Sequence, residues 1–376
     1  MIKINTIGIV AEYNPFHNGH LYQLNEAKRI SGAKTSVAVM SGTVVQRGDF
    51  AIFDKWTRAE AAILSGVNLV IELPCVYSGQ TAEIFARGAI DIMDSLGIID
   101  GISFGAENAD SDMIAKTAHL LLDETEQFKN VMNNYLRSGD GYPTARSKAL
   151  KEVHGIDFAN TPNNILAVEY TKAIIKNSYK IKTIPVLRKG SIHDGVGSAS
   201  YIRGLIKDEL DYSEYVPAIT NKQPVFIEAF KDIILYKLRT ASPNELLSIA
   251  DVSEGLENRL ISSAIKADSV AKLIEEVSTK RYSNARIRRA IINSVLNITK
   301  EDTKQKPSYI RVLGADKKGR ELLKSIKSNC PLPIVTKAAD YDTLSALQKE
   351  ITATSIYSLA TNVKENPEYK NPPFIL

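Results

Sequence analysis

Two histidines, His17 and His20, stand three residues apart with Gly19 between them. They follow a short apolar run at residues 7–11 and precede an amphipathic segment, so the pattern predicts a strand, a turn and the start of a helix. Side chains three residues apart on a helical turn point in nearly the same direction. Two imidazoles placed there can donate hydrogen bonds to the non-bridging oxygens of an α-phosphate as it becomes five-coordinate, which stabilises the developing charge.

The place of this pair in the chain favours phosphate chemistry over two other interpretations. In a parallel sheet, ligands bind beyond the carboxyl ends of the strands, and the N-terminus of the following helix offers free N–H groups to a phosphate. Gly19 would remove a side chain where the backbone approaches that phosphate. A metal pair is one alternative, although the acidic residue of a His-Glu-x-x-His pattern is missing. A surface pair that only caps a helix is the other.

The elements that must position these histidines alternate along the first half of the chain. Short runs rich in Val and Ile predict strands at residues 7–11, 36–40, 69–73, 101–104 and 182–187. Amphipathic segments predict helices at residues 21–30, 55–64, 82–96, 113–136 and 161–176, the last with Thr161 as cap and Pro162 in the first turn. This order predicts an α/β fold with a doubly wound parallel sheet covered on both faces.

The second half of the chain has a different pattern. Helices are predicted at residues 225–238, 243–249, 254–267, 270–277, 284–296 and 343–360, with late strands at 309–313 and 332–336. A chain of 376 residues is long for one domain. We therefore expect a catalytic domain at residues 1–215 and a mainly helical domain at residues 216–376.

Composition excludes several classes of protein. The formal net charge of +4, from 47 basic and 43 acidic residues, is too small for a nucleic-acid coat protein, so any basic surface must be local. Two cysteines, Cys75 and Cys330, provide neither a disulfide framework nor a zinc framework, which indicates a reducing compartment. The sequence contains no run of 18 or more apolar residues, so no membrane-spanning helix is predicted. We expect a cytoplasmic protein.

The motif also resembles a known family. His17-Asn18-Gly19-His20 matches the HxGH signature of nucleotidyltransferases related to class I aminoacyl-tRNA synthetases. Longer strings make the chain similar to the bacterial tRNA(Met) cytidine acetate ligases, and they cover nearly its whole length. These strings are Glu12-Tyr13-Asn14-Pro15-Phe16, Val39-Met40-Ser41-Gly42, Gln46-Arg47-Gly48, Lys55-Trp56, Leu69-Val70-Ile71-Glu72-Leu73-Pro74, Ile84-Phe85-Ala86-Arg87-Gly88, Phe104-Gly105-Ala106-Glu107-Asn108, Pro162-Asn163-Asn164-Ile165-Leu166, His193-Asp194 and Lys280-Arg281-Tyr282.

The resemblance implies a reaction in two steps. Acetate attacks the α-phosphate of ATP to give acetyl-adenylate and pyrophosphate, and the acetyl group then passes to N4 of the wobble cytidine of elongator tRNA(Met), without acetyl-CoA. His17 and His20 are the implied catalytic residues. The implied nucleotide-binding residues are Val10, Ala11, Glu12, Tyr13, Asn14, Pro15, Phe16, His17, Asn18, Gly19, His20, Gly105, Asn163 and Arg188. Mg²⁺ is expected because the triphosphate charge needs neutralising, yet no carboxylate pair identifies a ligand set. Neither an obligate protein partner nor a membrane is implied.

Two assignments in the nucleotide site stay open. Ser200 and Arg203, in Gly197-Ser198-Ala199-Ser200-Tyr201-Ile202-Arg203, are candidates for the superfamily loop that holds the β- and γ-phosphates, but Ser198 and Ser200 can instead cap a helix. Asn164 can replace Asn163 at the nucleotide because the two are identical neighbours.

A basic segment in the second half predicts contact with RNA. Residues 277–300 contain six Lys and Arg residues and no acidic residue. At helical spacing Ile287, Ile291 and Val295 share one face, which leaves Arg286, Arg289 and Asn293 on another. Such a face can neutralise RNA phosphates, and a tyrosine can stack on a base. A solvated surface is the alternative. The candidate RNA-binding residues are Lys280, Arg281, Tyr282, Arg286, Arg288 and Arg289.

Four residues after the second strand have two interpretations each. Arg47, Lys55 and Arg58 could contact phosphate or the target cytidine, or carry ordinary surface charge. Trp56 could stack on a base, but a single tryptophan at the start of a helix more often packs into the core.

Two rival functions share parts of this pattern. A small-molecule nucleotidyltransferase that adenylylates a phosphorylated metabolite would use the same histidines, but it would have no use for a one-sided basic segment. A non-catalytic RNA-binding protein would have no need of both histidines and the glycine.

Overall fold

The computed structural model describes residues 4–157, 161–188, 195–220, 222–341, 343–361, 363 and 365–376. Strands and helices alternate over its first half. In chain order they are β1 (Thr6–Ala11), α1 (Asn18–Ser31), β2 (Thr35–Ser41), β3 (Val44–Val45), β4 (Asp49–Phe50), α2 (Lys55–Leu64), β5 (Leu69–Leu73), α3 (Cys75–Ser78), α4 (Ala82–Ser95), β6 (Gly101–Ala106), α5 (Ser111–Leu122), α6 (Glu126–Arg137), α7 (Tyr142–His154), α8 (Pro162–Lys176), β7 (Lys182–Leu187) and α9 (Ala199–Lys207).

The second half is mainly helical. Its elements are α10 (Lys231–Thr240), α11 (Pro243–Ser248), α12 (Leu256–Lys266), α13 (Val270–Val277), α14 (Asn284–Val295), β8 (Ile310–Ala315), α15 (Lys317–Asn329), β9 (Ile334–Val335), α16 (Ser345–Leu359), α17 (Pro367–Lys370) and β10 (Phe374–Ile375). Short 3₁₀ helices span Ser213–Tyr215, Ile227–Phe230, Asp302–Lys304 and Ala338–Tyr341. No helix among the described residues is long and apolar enough to cross a membrane.

The central sheet has the order β10-β8-β5-β2-β1-β6-β7, with β9 beside β8. The neighbours β5, β2, β1, β6 and β7 are all parallel, so their carboxyl ends lie at one edge. The α/β fold with a mainly parallel sheet is thus confirmed. The histidine pair, which follows β1, lies at the carboxyl edge of the central strand.

Apolar side chains cover both faces of the sheet. Ile7 and Ile9 pack with Leu24 of α1 and Ile63 of α2 on one face. The opposite face, which includes Val37 of β2, packs against α4 and α8 and continues without interruption into the helices of the second half. Alternate strand residues therefore reach two apolar layers, as a doubly wound sheet requires.

The C-terminal part of the chain returns to this sheet. β8 pairs antiparallel with β5, and β10 pairs with β8. Residues beyond 216 thus add strands to the sheet of the first half. The predicted domain boundary between residues 215 and 216 did not anticipate this return of the chain. The division into a catalytic and a helical domain otherwise stays a prediction.

Two predicted helices differ clearly in their bounds, and a further helix was missed. The helix predicted at residues 113–136 is two helices, α5 and α6, because the Thr125 hydroxyl accepts a hydrogen bond from the Phe128 N–H at 3.2 Å and starts a new helix. The segment at 225–238 begins with a 3₁₀ turn, and α10 starts only at Lys231. The helix α7 was not predicted; Gly141 and Pro143 at its start are its sequence signal.

Candidate active site

His17 and His20 form a reciprocal cap at the start of α1. His17 is the N-cap, with extended backbone, and its Nδ1 accepts a hydrogen bond from the Gly19 N–H at 3.0 Å. The His17 N–H in turn donates to Nδ1 of His20 at 3.2 Å. The two ring centroids lie 3.8 Å apart. Because both Nδ1 atoms accept, the proton of each neutral ring is on Nε2, which leaves one N–H donor per ring.

Both imidazoles are uncharged at neutral pH. Burial, together with the positive charges of Arg188 and Arg203, lowers the pKa of His17 to about 4. Burial, together with His17 and Arg188, places the pKa of His20 well below its usual value. The histidines are therefore neutral donors, and the two arginines supply positive charge beside them.

Glycine is needed at position 19 for a structural reason that the sequence did not reveal. A Cβ atom on Gly19 would lie 2.8 Å from Cε1 of His17. The glycine thus makes room for the capping imidazole itself, rather than only for a phosphate.

The turn between β1 and α1 is tied down by its own side chains. Tyr13, at 1% exposure, and Phe16, at 4%, pack in the apolar layer under α1 with ring centroids 4.7 Å apart. The amide oxygen Oδ1 of Asn14 accepts a hydrogen bond from the Ile52 N–H at 2.9 Å. Side chains at these predicted nucleotide-binding positions are therefore committed to the protein, and a nucleotide would meet the backbone there.

Arg203 reaches this turn from α9. Its Nη1 donates to the Asn14 carbonyl at 2.9 Å, and its Nη2 donates to Ser200 Oγ at 3.0 Å. Ser198, not Ser200, caps α9 by accepting from the Tyr201 N–H at 3.1 Å. The structure thus brings Arg203 to the histidines and leaves the phosphate role of Ser200 a prediction.

The other predicted nucleotide residues gather beyond β6 and β7. A Cβ on Gly105 would lie 3.3 Å from Cγ of Arg188, so the glycine makes room for that arginine. Arg188 lies 3.8 Å from Oε1 of Glu107, which also accepts from Asn163 Nδ2 at 2.5 Å. Asn164 is buried, and its Oδ1 accepts from the Glu107 N–H at 3.1 Å. The more accessible Asn163 is therefore the better candidate for nucleotide contact.

Glu107 is a residue of this group that the sequence left without a role. Thr161 is the N-cap residue of α8, as predicted, but its side chain makes no capping hydrogen bond and instead donates its hydroxyl to Glu107 Oε2 at 2.8 Å. Burial raises the pKa of Glu107, but the hydrogen bonds from Asn163 and Thr161 outweigh it and hold the pKa below its usual value. Its position directly after β6 was the available signal.

Lys55, Trp56 and Arg58 lie in the interior of the protein. The prediction that Lys55 or Arg58 contacts phosphate or the target cytidine is therefore wrong. Arg58, at 1% exposure, donates to the carbonyls of Glu12, Ser41, Gly42 and Phe53. Trp56 is 8% exposed and packs into the core. These residues hold the strand ends in place and do not face a ligand.

Lys55 fills the centre of a buried acidic cluster. Its Nζ lies 2.5 Å from Glu72 and 3.3 Å from Glu350, and it also contacts Glu368. Oxygens of these three carboxylates lie within 4.8 Å of one another, a spacing that suits a metal ion. The ammonium group occupies that position, so the cluster is a buried ion-pair network.

The basic segment is partly neutralised, which corrects the expectation that it lacks compensating carboxylates. Arg286 pairs with Glu254 at 2.9 Å, and Arg289 pairs with Asp251 at 2.5 Å. Tyr282 is 6% exposed, and its hydroxyl donates to the Glu254 carbonyl, so it cannot stack on a base.

The remaining residues of the segment divide between solvent and interior. Lys280 and Arg281 are exposed, and Arg288 pairs with Asp49 at 3.3 Å. Ile287, Ile291 and Val295 are buried, as predicted. Asn293 is also fully buried, where it accepts from Gln80 Nε2 at 2.8 Å, so its predicted place on the polar face is wrong.

Comparisons with known proteins agree with this arrangement. The HIGH Nucleotidyl Transferase family model matches residues 4–371. The chain is 42% identical over 382 residues to the tRNA(Met) cytidine acetate ligase of Thermoanaerobacter sp. (strain X514), which covers 94% of this chain and 95% of that protein. It is 38% identical over 401 residues to the protein of the same name from Clostridium perfringens, with 99% and 100% covered.

A solved structure is similar over the same length. Thermotoga maritima TmcAL, crystallised with alpha-thio ATP, matches with a TM-score of 0.90 at 30% identity and covers 99% of this chain and 100% of that one. The resemblance noted in the sequence is thus confirmed. The chain belongs to the HIGH nucleotidyltransferases and, among these enzymes, to the family of tRNA(Met) cytidine acetate ligases.

Proposed function

We propose that this enzyme joins acetate to the AMP of ATP and transfers the acetyl group to N4 of the wobble cytidine of elongator tRNA(Met). The observation that carries the proposal is the pair of neutral, mutually capped imidazoles at the carboxyl edge of the sheet, with Arg188 and Arg203 beside them. The relatives named as tRNA(Met) cytidine acetate ligases supply the acid and the acceptor.

The geometry supports the following roles in the first step. A carboxylate oxygen of acetate attacks the α-phosphorus, the bond to the β-phosphate oxygen breaks, and pyrophosphate leaves. The Nε2–H groups of His17 and His20 donate to the α-phosphate oxygens as charge accumulates on them. Neutral imidazoles suit this role because their Nε2–H groups are very weak acids, so they donate hydrogen bonds without losing the proton. Arg188 and Arg203 attract the departing phosphates.

ATP is proposed to lie across the carboxyl ends of β1, β6 and β7. The bound alpha-thio ATP of Thermotoga maritima TmcAL supports a nucleotide site in this fold. Asn163 and Gly105 flank the far side of the site from the histidines, and Arg203 lies on the near side, against the turn at Asn14.

Mg²⁺ is proposed to arrive with the triphosphate. Glu107 is already engaged by Asn163, Thr161 and Arg188, and the acidic cluster around Lys55 holds an ammonium group. The described residues thus fit a metal ion held by phosphate oxygens and water better than one held by a protein carboxylate cage.

The tRNA is proposed to bind on the side of α14. Lys280 and Arg281 are exposed there, and Arg288 extends from the same helix to Asp49 beside the catalytic turn. Arg286 and Arg289 are engaged in ion pairs within the helical part, so their main role is proposed to be structural. A tRNA substrate also agrees with the expected cytoplasmic location.

The test measures the two steps separately. Pyrophosphate exchange into ATP is assayed with acetate, propionate, glycine and citrate, and nucleosides from treated tRNA are analysed by mass spectrometry. We expect acetate-dependent exchange and N4-acetylcytidine in elongator tRNA(Met). Acetylation from acetyl-CoA without ATP would contradict the proposal. Exchange that requires a phosphorylated metabolite instead of acetate would support the small-molecule nucleotidyltransferase.

A further inference from the structure

A short hairpin, formed by β3, β4 and the turn Gln46-Arg47-Gly48, is fastened to the catalytic turn at both ends. The Gln46 N–H donates to Glu12 Oε1 at 2.8 Å, and the Ile52 N–H donates to Asn14 Oδ1 at 2.9 Å. Asp49 lies between these two attachment points. Its carboxylate is therefore held beside the turn that carries His17.

The other side of the hairpin rests on α14. A Cβ on Gly48, whose φ is +77°, would lie 2.2 Å from the backbone nitrogen of Arg289, so the turn packs directly on the helix backbone. Arg288 Nη1 lies 3.3 Å from Asp49 Oδ2. Asp49 thus occupies the junction between the catalytic turn and the helix on whose side the tRNA is proposed to bind.

Charged groups from three elements act on Asp49. Arg288 of α14 and Arg203 of α9 favour its ionised form, whereas Glu12 at the end of β1 disfavours it. Arg203 also acts on His17, so one arginine lies within electrostatic range of both groups. The side chain of Asp49 is still 35% exposed and thus open to a ligand.

The acetyl transfer needs a group in this position. The N4 lone pair of cytidine forms a bond to the carbonyl carbon of acetyl-adenylate, the bond from that carbon to the phosphate oxygen breaks, and AMP leaves with its electron pair. The nitrogen must then lose one proton. A carboxylate is the side chain that accepts a hydrogen bond from cytosine N4, and the same oxygen can take that proton.

We propose that Asp49 is the catalytic residue of the second step, where it recognises the N4 amino group of the target cytidine and accepts its proton. Arg288 is a positioning residue that orients the Asp49 carboxylate. The inference rests on the proposed function and deepens it, because it names the residue that contacts the reacting amino group of the base.

The protonation state of Asp49 agrees with this role. Partial burial raises its pKa to about 6, against the opposing effect of Arg288. A base with that pKa is ionised at neutral pH and more basic than an ordinary aspartate. The carboxylate form is lost as the pH falls through 6, so acetyl transfer should decline below that pH.

Other carboxylates near the catalytic turn are less suited. Glu107 accepts hydrogen bonds from Thr161 and Asn163 and pairs with Arg188 in the nucleotide site. Glu72, Glu350 and Glu368 are buried around Lys55. The Glu12 carboxylate accepts the N–H that fixes the hairpin.

The experiment starts from synthetic acetyl-adenylate, which bypasses the first step. Single-turnover transfer to tRNA is measured from pH 5 to pH 8 for the wild-type enzyme, Asp49→Asn, Asp49→Glu and Arg288→Met. Asp49→Asn should slow transfer by about a hundred-fold or more and abolish its decline at low pH. Asp49→Glu should recover part of the rate. Arg288→Met should move the decline to higher pH, because it removes a charge that lowers the pKa of Asp49.

A matched control is Glu26→Gln, which removes a carboxylate paired with Arg29 on α1 at 2.6 Å and should leave transfer and its pH profile unchanged. Transfer by Asp49→Asn within two-fold of wild type, with the same pH profile, would overturn the inference but not the proposed function. A wild-type enzyme that transfers no acetyl group from acetyl-adenylate would overturn the proposed function itself. Should Asp49→Asn fail to fold, an unmoved pH profile in Arg288→Met would overturn the inference.

Discussion

At the scale of single residues, the histidine pair serves the helix and the chemistry with different nitrogens. Each Nδ1 accepts a backbone hydrogen bond at the start of α1, and each Nε2–H remains for a ligand. The backbone thereby fixes the tautomer of both rings before ATP binds. Preorganised donors of this kind stabilise a transition state without reorganising during the reaction.

Because Nδ1 serves the helix and Nε2 the ligand, two substitutions of His20 should differ in their effects. Both His20→Ala and His20→Gln should slow acetate-dependent pyrophosphate exchange by about a hundred-fold to a thousand-fold, because each removes an imidazole donor. His20→Gln should preserve the melting temperature better, since a glutamine oxygen can accept from the His17 N–H as in a capping box. ATP binding, measured by calorimetry, should weaken only modestly in both. Exchange at the wild-type rate in either variant would refute the assigned role.

At the scale of secondary-structure elements, the hairpin of β3 and β4 links the catalytic turn to α14. Its contact with the helix depends on Gly48, because even one methyl group would collide with the backbone of Arg289. Its contact with the turn depends on hydrogen bonds to Glu12 and Asn14. A small element thus connects the two parts of the proposed site.

Gly48→Ala should therefore destabilise the protein more than an ordinary glycine substitution. Gly32→Ala is the matched control, because Gly32 also has a positive φ, of +69°, but no atom lies within 4 Å of the added methyl. Left-handed strain costs both variants about 1–2 kcal/mol, and the collision adds about 1–3 kcal/mol to Gly48→Ala alone. Urea denaturation measures the difference. Equal losses in the two variants would show that the hairpin can move away from α14 at no cost.

The strands and the histidine turn of this fold were predictable from sequence, and the charged surfaces were not. Residues 69–73 and 182–187 are short apolar runs with clear ends, so their bounds followed from local pattern alone. The partners of Arg286 and Arg289 come from a loop more than thirty residues earlier, as the separation of 38 between Arg289 and Asp251 illustrates. Local spacing does not reveal such tertiary ion pairs. For the same reason Lys55 and Arg58, which lie at the start of an amphipathic helix, resembled surface charges although both are buried.

At the scale of the whole molecule, a buried ion-pair network joins distant parts of the chain. Lys55 of α2 meets Glu72 of β5, Glu350 of α16 and Glu368 of α17. The carboxylate of Glu350 also accepts from the N–H groups of Thr43 and Cys75, at 2.9 and 2.7 Å. The C-terminal elements are thereby fixed to the strand ends behind the active site.

Removing the central cation should destabilise the whole fold. Lys55→Met leaves three buried carboxylates without their shared ammonium group, and the loss of one partner from a buried pair costs about 3–5 kcal/mol. Lys129→Met is the control, because Lys129 is 45% exposed in its pair with Glu126 and should unfold close to wild type. The free energies of unfolding in urea give the comparison. A Lys55→Met protein as stable as wild type would mean that the carboxylates are neutral in the native state.

The exposed part of the basic segment provides the test of tRNA binding at this scale. Lys280 and Arg281 precede α14 and are exposed, and Arg281 makes only a long ion pair with Glu254, at 3.7 Å. Arg286 and Arg289 are held in shorter pairs, and reversing their charge would break these contacts within the fold. Lys280→Glu/Arg281→Glu should weaken tRNA binding and lower the slope of log affinity against log salt by up to about two units, one for each lost phosphate contact. Acetate-dependent pyrophosphate exchange, measured without tRNA, should stay near the wild-type rate.

The control for this prediction carries the same change of charge on another element. Lys324→Glu/Lys327→Glu reverses two exposed lysines of α15, so it alters the net charge of the protein equally. Its tRNA affinity and salt slope should remain close to wild type. If both double variants weakened binding alike, the effect would come from net charge, and α14 would not be the tRNA-binding side. If only the first did, the RNA would approach along α14, past Arg288, toward Asp49 and the acetyl-adenylate.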